Sequence, residues 1–99
     1  FNRSKYGFYI NDYENAIAQA KKLEIAADEC GEASKTLKSQ SGNSEQFWQG
    51  ASGNAMRRKM AESVKELTTL QSDLRGTASV IRTVAEELRR KDKKLSGLM

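Results

Sequence analysis

Apolar side chains recur along this chain at alternating steps of four and three residues, in two long stretches. In the first half the repeated positions are Tyr9, Tyr13, Ala16, Ala20, Leu23, Ala27, Cys30, Ser34 and Leu37. This heptad register predicts one long amphipathic α-helix with its apolar side chains in a single stripe. Asn11 or Asp12 is placed to cap its start, and Gly42 and Asn43 are placed to end it in the left-handed conformation. We therefore predict helix 1 at about residues 9–41.

The second half repeats the register with larger side chains. Its positions are Met60, Val64, Leu67, Leu74, Ala78, Ile81, Ala85, Leu88 and Leu95, interrupted by Gln71 and Asp92. Ser52 or Asn54 is placed to cap this helix, and Gly97 follows its last leucine. We predict helix 2 at about residues 53–95 and a polar turn at about residues 42–52.

Two long helices joined by a short turn form an antiparallel helical hairpin, so the predicted fold class is all-α, with residues 1–99 as one domain. The chain contains no Pro, which favours uninterrupted helices. Ile17, Leu70 and Val84 make the stripes wider than a two-helix seam needs. We expect a second hairpin to cover them in a four-helix bundle made by dimerisation. The expected seam comprises Leu23, Ala27, Leu37, Met60, Val64, Leu67, Leu74, Ile81 and Leu88.

Composition argues against catalysis. The chain has no His and a single Cys, Cys30, which excludes His-dependent nucleophile pairs, His-containing metal sites and an internal disulfide. Cys30 lies on the apolar stripe among alanines, as a small buried hydrophobe does. Glu86 and Glu87 fall on a solvent face, where we expect no shift of their pKa values. We predict a protein that is not an enzyme and has no cofactor and no metal.

Basic residues outnumber acidic ones by 17 to 13. Arg57, Arg58 and Lys59 lie in the first turns of helix 2, where cations oppose the helix macrodipole. They form either a solvated basic patch or a contact surface for an acidic partner. The run RRKDKK, residues 89–94, lies near the end of helix 2, where cations are favourable. Nucleic-acid binding is an alternative function, weakened by interleaved acidic residues and by the lack of a recognised reading motif.

The only tryptophan lies in the predicted turn, within SEQFWQGASGNAMRRKM, residues 44–60. Trp48-Gln49-Gly50, between two long helices of a 99-residue chain, resembles the Trp-X-Gly family of small type VII secretion proteins. Gly50 gives the backbone the freedom to reverse direction, and Trp48 is expected to pack over the end of the bundle.

The resemblance implies a homodimeric or heterodimeric hairpin, made in the cytoplasm and then secreted or held at the cell surface. Export by a membrane ATPase, without a cleaved signal peptide, is implied as well. The implied partners are a second copy or a related hairpin, the secretion ATPase and, in an alternative role, a larger Leu-X-Gly toxin that the hairpin escorts. No apolar run approaches the ~18 residues of a membrane span, so none is predicted.

Export in this family pairs the Trp-X-Gly turn of one chain with a Tyr-x-x-x-Asp/Glu element beyond the second helix of its partner. The tyrosines here are Tyr6, Tyr9 and Tyr13, and the C-terminal region AEELRRKDKKLSGLM has no aromatic residue. We therefore expect a partner chain to carry the tyrosine element.

Overall fold

The computed structural model describes the backbone of residues 10–97 and the side chains of residues 12–92. Over this range the chain forms helix α1 (Ile10–Asn43), a short 3-10 helix (Ser44–Gln46) and helix α2 (Gly50–Gly97), with no strand. The helices run in opposite directions and pack against each other, which confirms the predicted all-α helical hairpin. Tyr9 and the side chain of Leu95 lie outside the described residues.

The chain forms two compact units. The turn unit comprises residues 25–74 and contains the 3-10 helix. The terminal unit combines the part of α1 up to residue 24 with the part of α2 from residue 75 onward. In each unit a stretch of α1 packs against a stretch of α2.

Alanines occupy the best-covered positions of the heptad register. Ala20, Ala27 and Ala78 are 0% exposed, and Ala85 is 2% exposed. Small residues let helix backbones approach each other, so the larger side chains cover this contact from its sides. The predicted seam leucines, Ile81, Val64 and Met60 are all half-buried, and no large side chain is fully buried among the described residues. The core of the hairpin is therefore thin.

The ends of the helices differ from the sequence expectation. α1 continues to Asn43 and passes directly into the 3-10 helix, so the predicted left-handed stop at Gly42 and Asn43 is wrong. Among the described residues the one positive φ angle belongs to Gly50, at +76°. α2 begins at that residue, which places the expected caps Ser52 and Asn54 inside the helix. The turn is consequently shorter than predicted.

Candidate functional site: the turn between the helices

Ser44 organises the backbone of the turn. Its carbonyl oxygen accepts hydrogen bonds from the backbone N–H groups of Phe47, at 3.0 Å, and Trp48, at 2.7 Å. Its hydroxyl donates to the carbonyl of Ser41 at 2.7 Å, and the residue is buried. Ser41 and Ser44 continue the four-and-three register of α1, so the polar end of the seam leads directly into the turn.

Arg57 reaches back from α2 to the same turn. Its Nη1 donates to the carbonyl oxygen of Trp48 at 2.8 Å and, at 3.4 Å, to the hydroxyl oxygen of Ser44. Its Nη2 donates to Oδ1 of Asn54 at 2.9 Å. We call Ser44, Trp48, Gly53, Asn54 and Arg57 the turn lock. Because both backbone groups of Trp48 are hydrogen-bonded within it, the position of this residue is fixed from two sides.

Two glycines make this geometry possible for different reasons. Gly50 has a φ of +76°, a conformation that side-chain-bearing residues rarely adopt. Gly53 is buried, and a Cβ atom there would lie 2.6 Å from the carbonyl carbon of Trp48 and 3.1 Å from Nη2 of Arg57. The close approach of α2 to the Trp48 carbonyl therefore requires a residue without a side chain at position 53.

The lock leaves two aromatic rings at the surface. Phe47 is 79% exposed and Trp48 is 47% exposed. Together with Met56 and Met60 they border an open depression of about 290 Å³, which Gln40, Asn43 and Ser44 complete. Apolar rings and thioethers held at a surface are typical of a site of protein association. We call Phe47, Trp48, Met56 and Met60 the turn-end patch.

The three cations predicted as one cluster make different contacts. Arg57 is half-buried and hydrogen-bonded within the turn lock. Arg58 is exposed, and Lys59 forms an exposed ion pair with Glu62 at 3.8 Å. A signal for this separation was present in the sequence. The register of α2 extended backward from Met60 reaches position 57, and then position 53.

A second polar cluster lies in the terminal unit. Tyr13 donates a hydrogen bond to Oε1 of Glu86, and Nη2 of Arg89 lies 3.2 Å from Oε2 of the same carboxylate. The guanidinium of Arg89 also stands 4.4 Å from the centre of the Tyr13 ring. The hydrogen bond from Tyr13, followed by the charge of Arg89, lowers the pKa of Glu86. The expectation of no pKa shift for Glu86 is therefore wrong.

Arg82 and Glu24 form a two-pronged ion pair in the same unit. Nε and Nη2 of Arg82 donate to the two carboxylate oxygens of Glu24 at 2.8 and 2.7 Å. These hydrogen bonds lower the pKa of Glu24 and raise that of Arg82. The hydrogen bond from Tyr13 to Glu86 likewise raises the pKa of the Tyr13 phenol. All these groups are paired with one another, an arrangement suited to joining two helices.

Other kinds of site find little support in the described part of the chain. No group of three or more Cys, Asp and Glu residues there is arranged to hold a metal ion. Neither helix has, over its described length, a stretch apolar and long enough to cross a membrane. Cys30 is half-buried, whereas its position on the stripe predicted a buried residue.

By its fold and its turn, the described part of the chain is a helical hairpin with aromatic residues in the turn. Protein-family models, curated proteins and solved structures were each compared with the chain, and none matches significantly. Arguments about function therefore depend on the residues of the hairpin themselves.

Proposed function

We propose that this chain is a non-enzymatic interaction protein that works through helix–helix association, with the turn-end patch as its recognition element. The resemblance of Trp48-Gln49-Gly50 to the Trp-X-Gly family supports a role in type VII secretion, as a secreted substrate, a carrier or a targeting partner. The observation that carries the proposal is the turn itself. Two backbone bonds hold Trp48 in place, while the residue is 47% exposed beside the more exposed Phe47.

A fixed backbone beneath an exposed aromatic ring suits recognition. Ordering a flexible loop on binding costs free energy, and a turn that is already held avoids this cost. Aromatic residues are also the side chains that most often dominate protein interfaces. A turn that only reversed the chain direction would have no need of two adjacent exposed rings.

Association with a second hairpin is supported by the incomplete covering of the seam. Leu70, in the turn unit, and Val84, in the terminal unit, are each 47% exposed. Both stand at the same heptad position, which flanks the seam on the side opposite Arg82. We propose that this flank packs against a second copy or a related hairpin. In a role in export, a related hairpin or an escorted Leu-X-Gly toxin is the partner that we propose.

Association is tested with a matched pair of valines. Val84 flanks the seam, whereas Val80 lies farther from it and is 62% exposed. In light scattering the wild-type chain, alone or with its related hairpin, should show more than the 11.1 kDa of one chain, and about twice that mass for a homodimer. Val84→Glu should lower the measured mass and Val80→Glu should not. A folded wild type that stays monomeric, both alone and when mixed with each related hairpin, would contradict association.

Secretion is tested with the two adjacent rings of the turn. Trp48→Ala and Phe47→Ala are expressed in a cell that carries type VII machinery and the related hairpin, and secreted and retained protein are measured. We expect Trp48→Ala to stay inside the cell with near-native thermal melting, and Phe47→Ala, which removes the second ring of the turn-end patch, to be secreted less than the wild type. Normal secretion of folded Trp48→Ala would refute a signalling role for the ring. If Trp48→Ala shows a large fall in melting temperature and its folded fraction is still secreted, Trp48 has only a structural role at the end of the hairpin.

A further inference from the structure

The seam of the hairpin changes character as it approaches the turn. The register positions that lead into the turn are Ser41 in α1 and Ser44 in the 3-10 helix, and those in the first turns of α2 include Gly53 and Arg57. None of these four residues has an apolar side chain. Hydrophobic packing, which holds helices together at most seam positions, is therefore replaced here by hydrogen bonds.

Arg57 supplies most of these bonds from a single planar group. Its Nη1 lies 2.8 Å from the Trp48 carbonyl oxygen and its Nη2 lies 2.9 Å from Asn54 Oδ1. A guanidinium fork holds its donors in fixed relative directions, whereas a lysine ammonium is a single point at the end of a flexible chain. A lysine at position 57 therefore keeps the positive charge and loses the simultaneous contact with both oxygens.

The carbonyl that Arg57 binds belongs to the residue whose ring is presented. Trp48 lies two residues before the start of α2, and Gly53 brings the helix close enough to its carbonyl oxygen for Arg57 to bond it. Loss of this bond leaves the Trp48 backbone held only through its N–H group, at the Ser44 carbonyl, so the orientation of the residue is less restrained.

We infer that Arg57 is a positioning residue, which sets the orientation of Trp48 through its backbone carbonyl. The contact between Arg57 and Trp48 lies within the hairpin and does not depend on the proposed function. Only its use, to hold Trp48 ready for recognition, rests on that function. The three basic residues at positions 57–59 then have different roles. Arg57 fixes the turn, and the exposed Arg58 and Lys59 are left to solvent or to a partner.

The single tryptophan provides the test, because its fluorescence reports on the turn alone. Quenching of Trp48 by acrylamide is measured for the wild type, Arg57→Ala, Arg57→Lys and the matched control Arg58→Ala, with helix content followed by circular dichroism. We expect both Arg57 variants to be quenched more strongly than the wild type at unchanged helix content. Since Trp48 is already 47% exposed, full exposure limits the increase to about twofold. Arg58→Ala should match the wild type.

Wild-type quenching in Arg57→Ala or in Arg57→Lys would overturn the inference, as would an equal rise in Arg58→Ala. Unfolding of both Arg57 variants would also overturn it, because Arg57 would then hold the whole hairpin and not the turn. None of these measurements requires a partner or a secretion system. Failure of the positioning role is therefore distinguishable from failure of the proposed function, which the secretion of Trp48→Ala decides.

Discussion

The two units differ in the hydrogen bonds that their side chains make. In the terminal unit the bonds between α1 and α2 run from side chain to side chain, as in the pair of Arg82 with Glu24 and the contact of Tyr13 with Glu86. In the turn unit Arg57 also bonds the backbone, at the carbonyl of Trp48, beside its side-chain bonds to Ser44 and Asn54. A bond to the backbone fixes the path of the chain, whereas a bond between two long exposed side chains restrains only their ends.

Charge distribution follows the same division. Residues 1–24 and 75–99 contain eleven of the 17 Lys and Arg residues and six of the 13 Asp and Glu residues. The net positive charge of the chain therefore belongs to the sequence of the terminal unit, and the turn unit is close to neutral. An encounter steered by charge would begin at the terminal unit, while the apolar turn-end patch offers a contact that salt affects little.

The largest expected effect lies in the seam, where the two units do not differ. Leu74→Lys in the turn unit and Ile81→Lys in the terminal unit each place an ammonium at a half-buried seam position. We expect each to lower the free energy of unfolding by roughly 2–4 kcal/mol, through lost apolar burial and the cost of desolvating the charge. Urea denaturation followed by circular dichroism measures the loss.

Val80→Lys is the control for these seam variants, because Val80 is adjacent to Ile81 and is 62% exposed. Its unfolding free energy should stay close to that of the wild type. If Ile81→Lys were no more destabilising than Val80→Lys, the seam in the terminal unit would be held by its ion pairs instead of by packing.

The next effect contrasts two glycines of α2. A Cβ added at Gly53 would overlap the backbone of Trp48, whereas one added at Gly76 would meet nothing within 4 Å. We expect Gly53→Ala to destabilise the hairpin by about 1–3 kcal/mol, because backbone must shift to admit the methyl group. Gly76→Ala should stabilise it by about 0.5–1 kcal/mol, since alanine is the better helix former. Thermal melting of the two variants should therefore move in opposite directions, and a shift of the same sign would refute the close approach at the turn.

The sequence predicted the parts of this fold that depend on periodicity. The four-and-three spacing identified both helices, their antiparallel pairing and the covered positions from Tyr13 to Leu88. It did not locate the turn lock, because Gly53 and Arg57 follow the register without apolar side chains. A register position near the end of a seam need not be apolar when the chain reverses within a few residues of it.

The cross-helix pairs of the terminal unit were beyond sequence reasoning for another reason. Glu24 and Arg82 are separated by 58 positions, and their pairing depends on the axial stagger of the two helices. Heptad spacing determines which side of a helix a residue occupies and leaves that stagger open. The same limit explains why Glu86 was assigned to solvent although it accepts a hydrogen bond from Tyr13.

The smallest effect concerns pH and belongs to the terminal unit. The pKa values of Glu24 and Glu86 are lowered from the ordinary 4.5, first by the hydrogen bonds from Arg82 and Tyr13 respectively. A carboxylate with a lower pKa in the folded state stabilises that state above the unfolded pKa. This contribution is lost as the pH falls through the folded pKa. The wild type should therefore lose stability on acidification below about pH 4.5, and the double variant Glu24→Gln with Glu86→Gln should lose less.

Glu87→Gln is the matched control for this experiment, because it removes a neighbouring exposed carboxylate. Its melting temperature should fall with acidification in parallel with the wild type, whereas the curve of the double variant should be flatter and should start lower at neutral pH. High salt should reduce the difference at neutral pH, since exposed ion pairs are screened. Parallel acid curves for all three proteins would mean that the side-chain pairs of the terminal unit contribute nothing to its stability. The terminal unit would then be held by packing alone, whereas the turn unit would still have the hydrogen bonds of the turn lock.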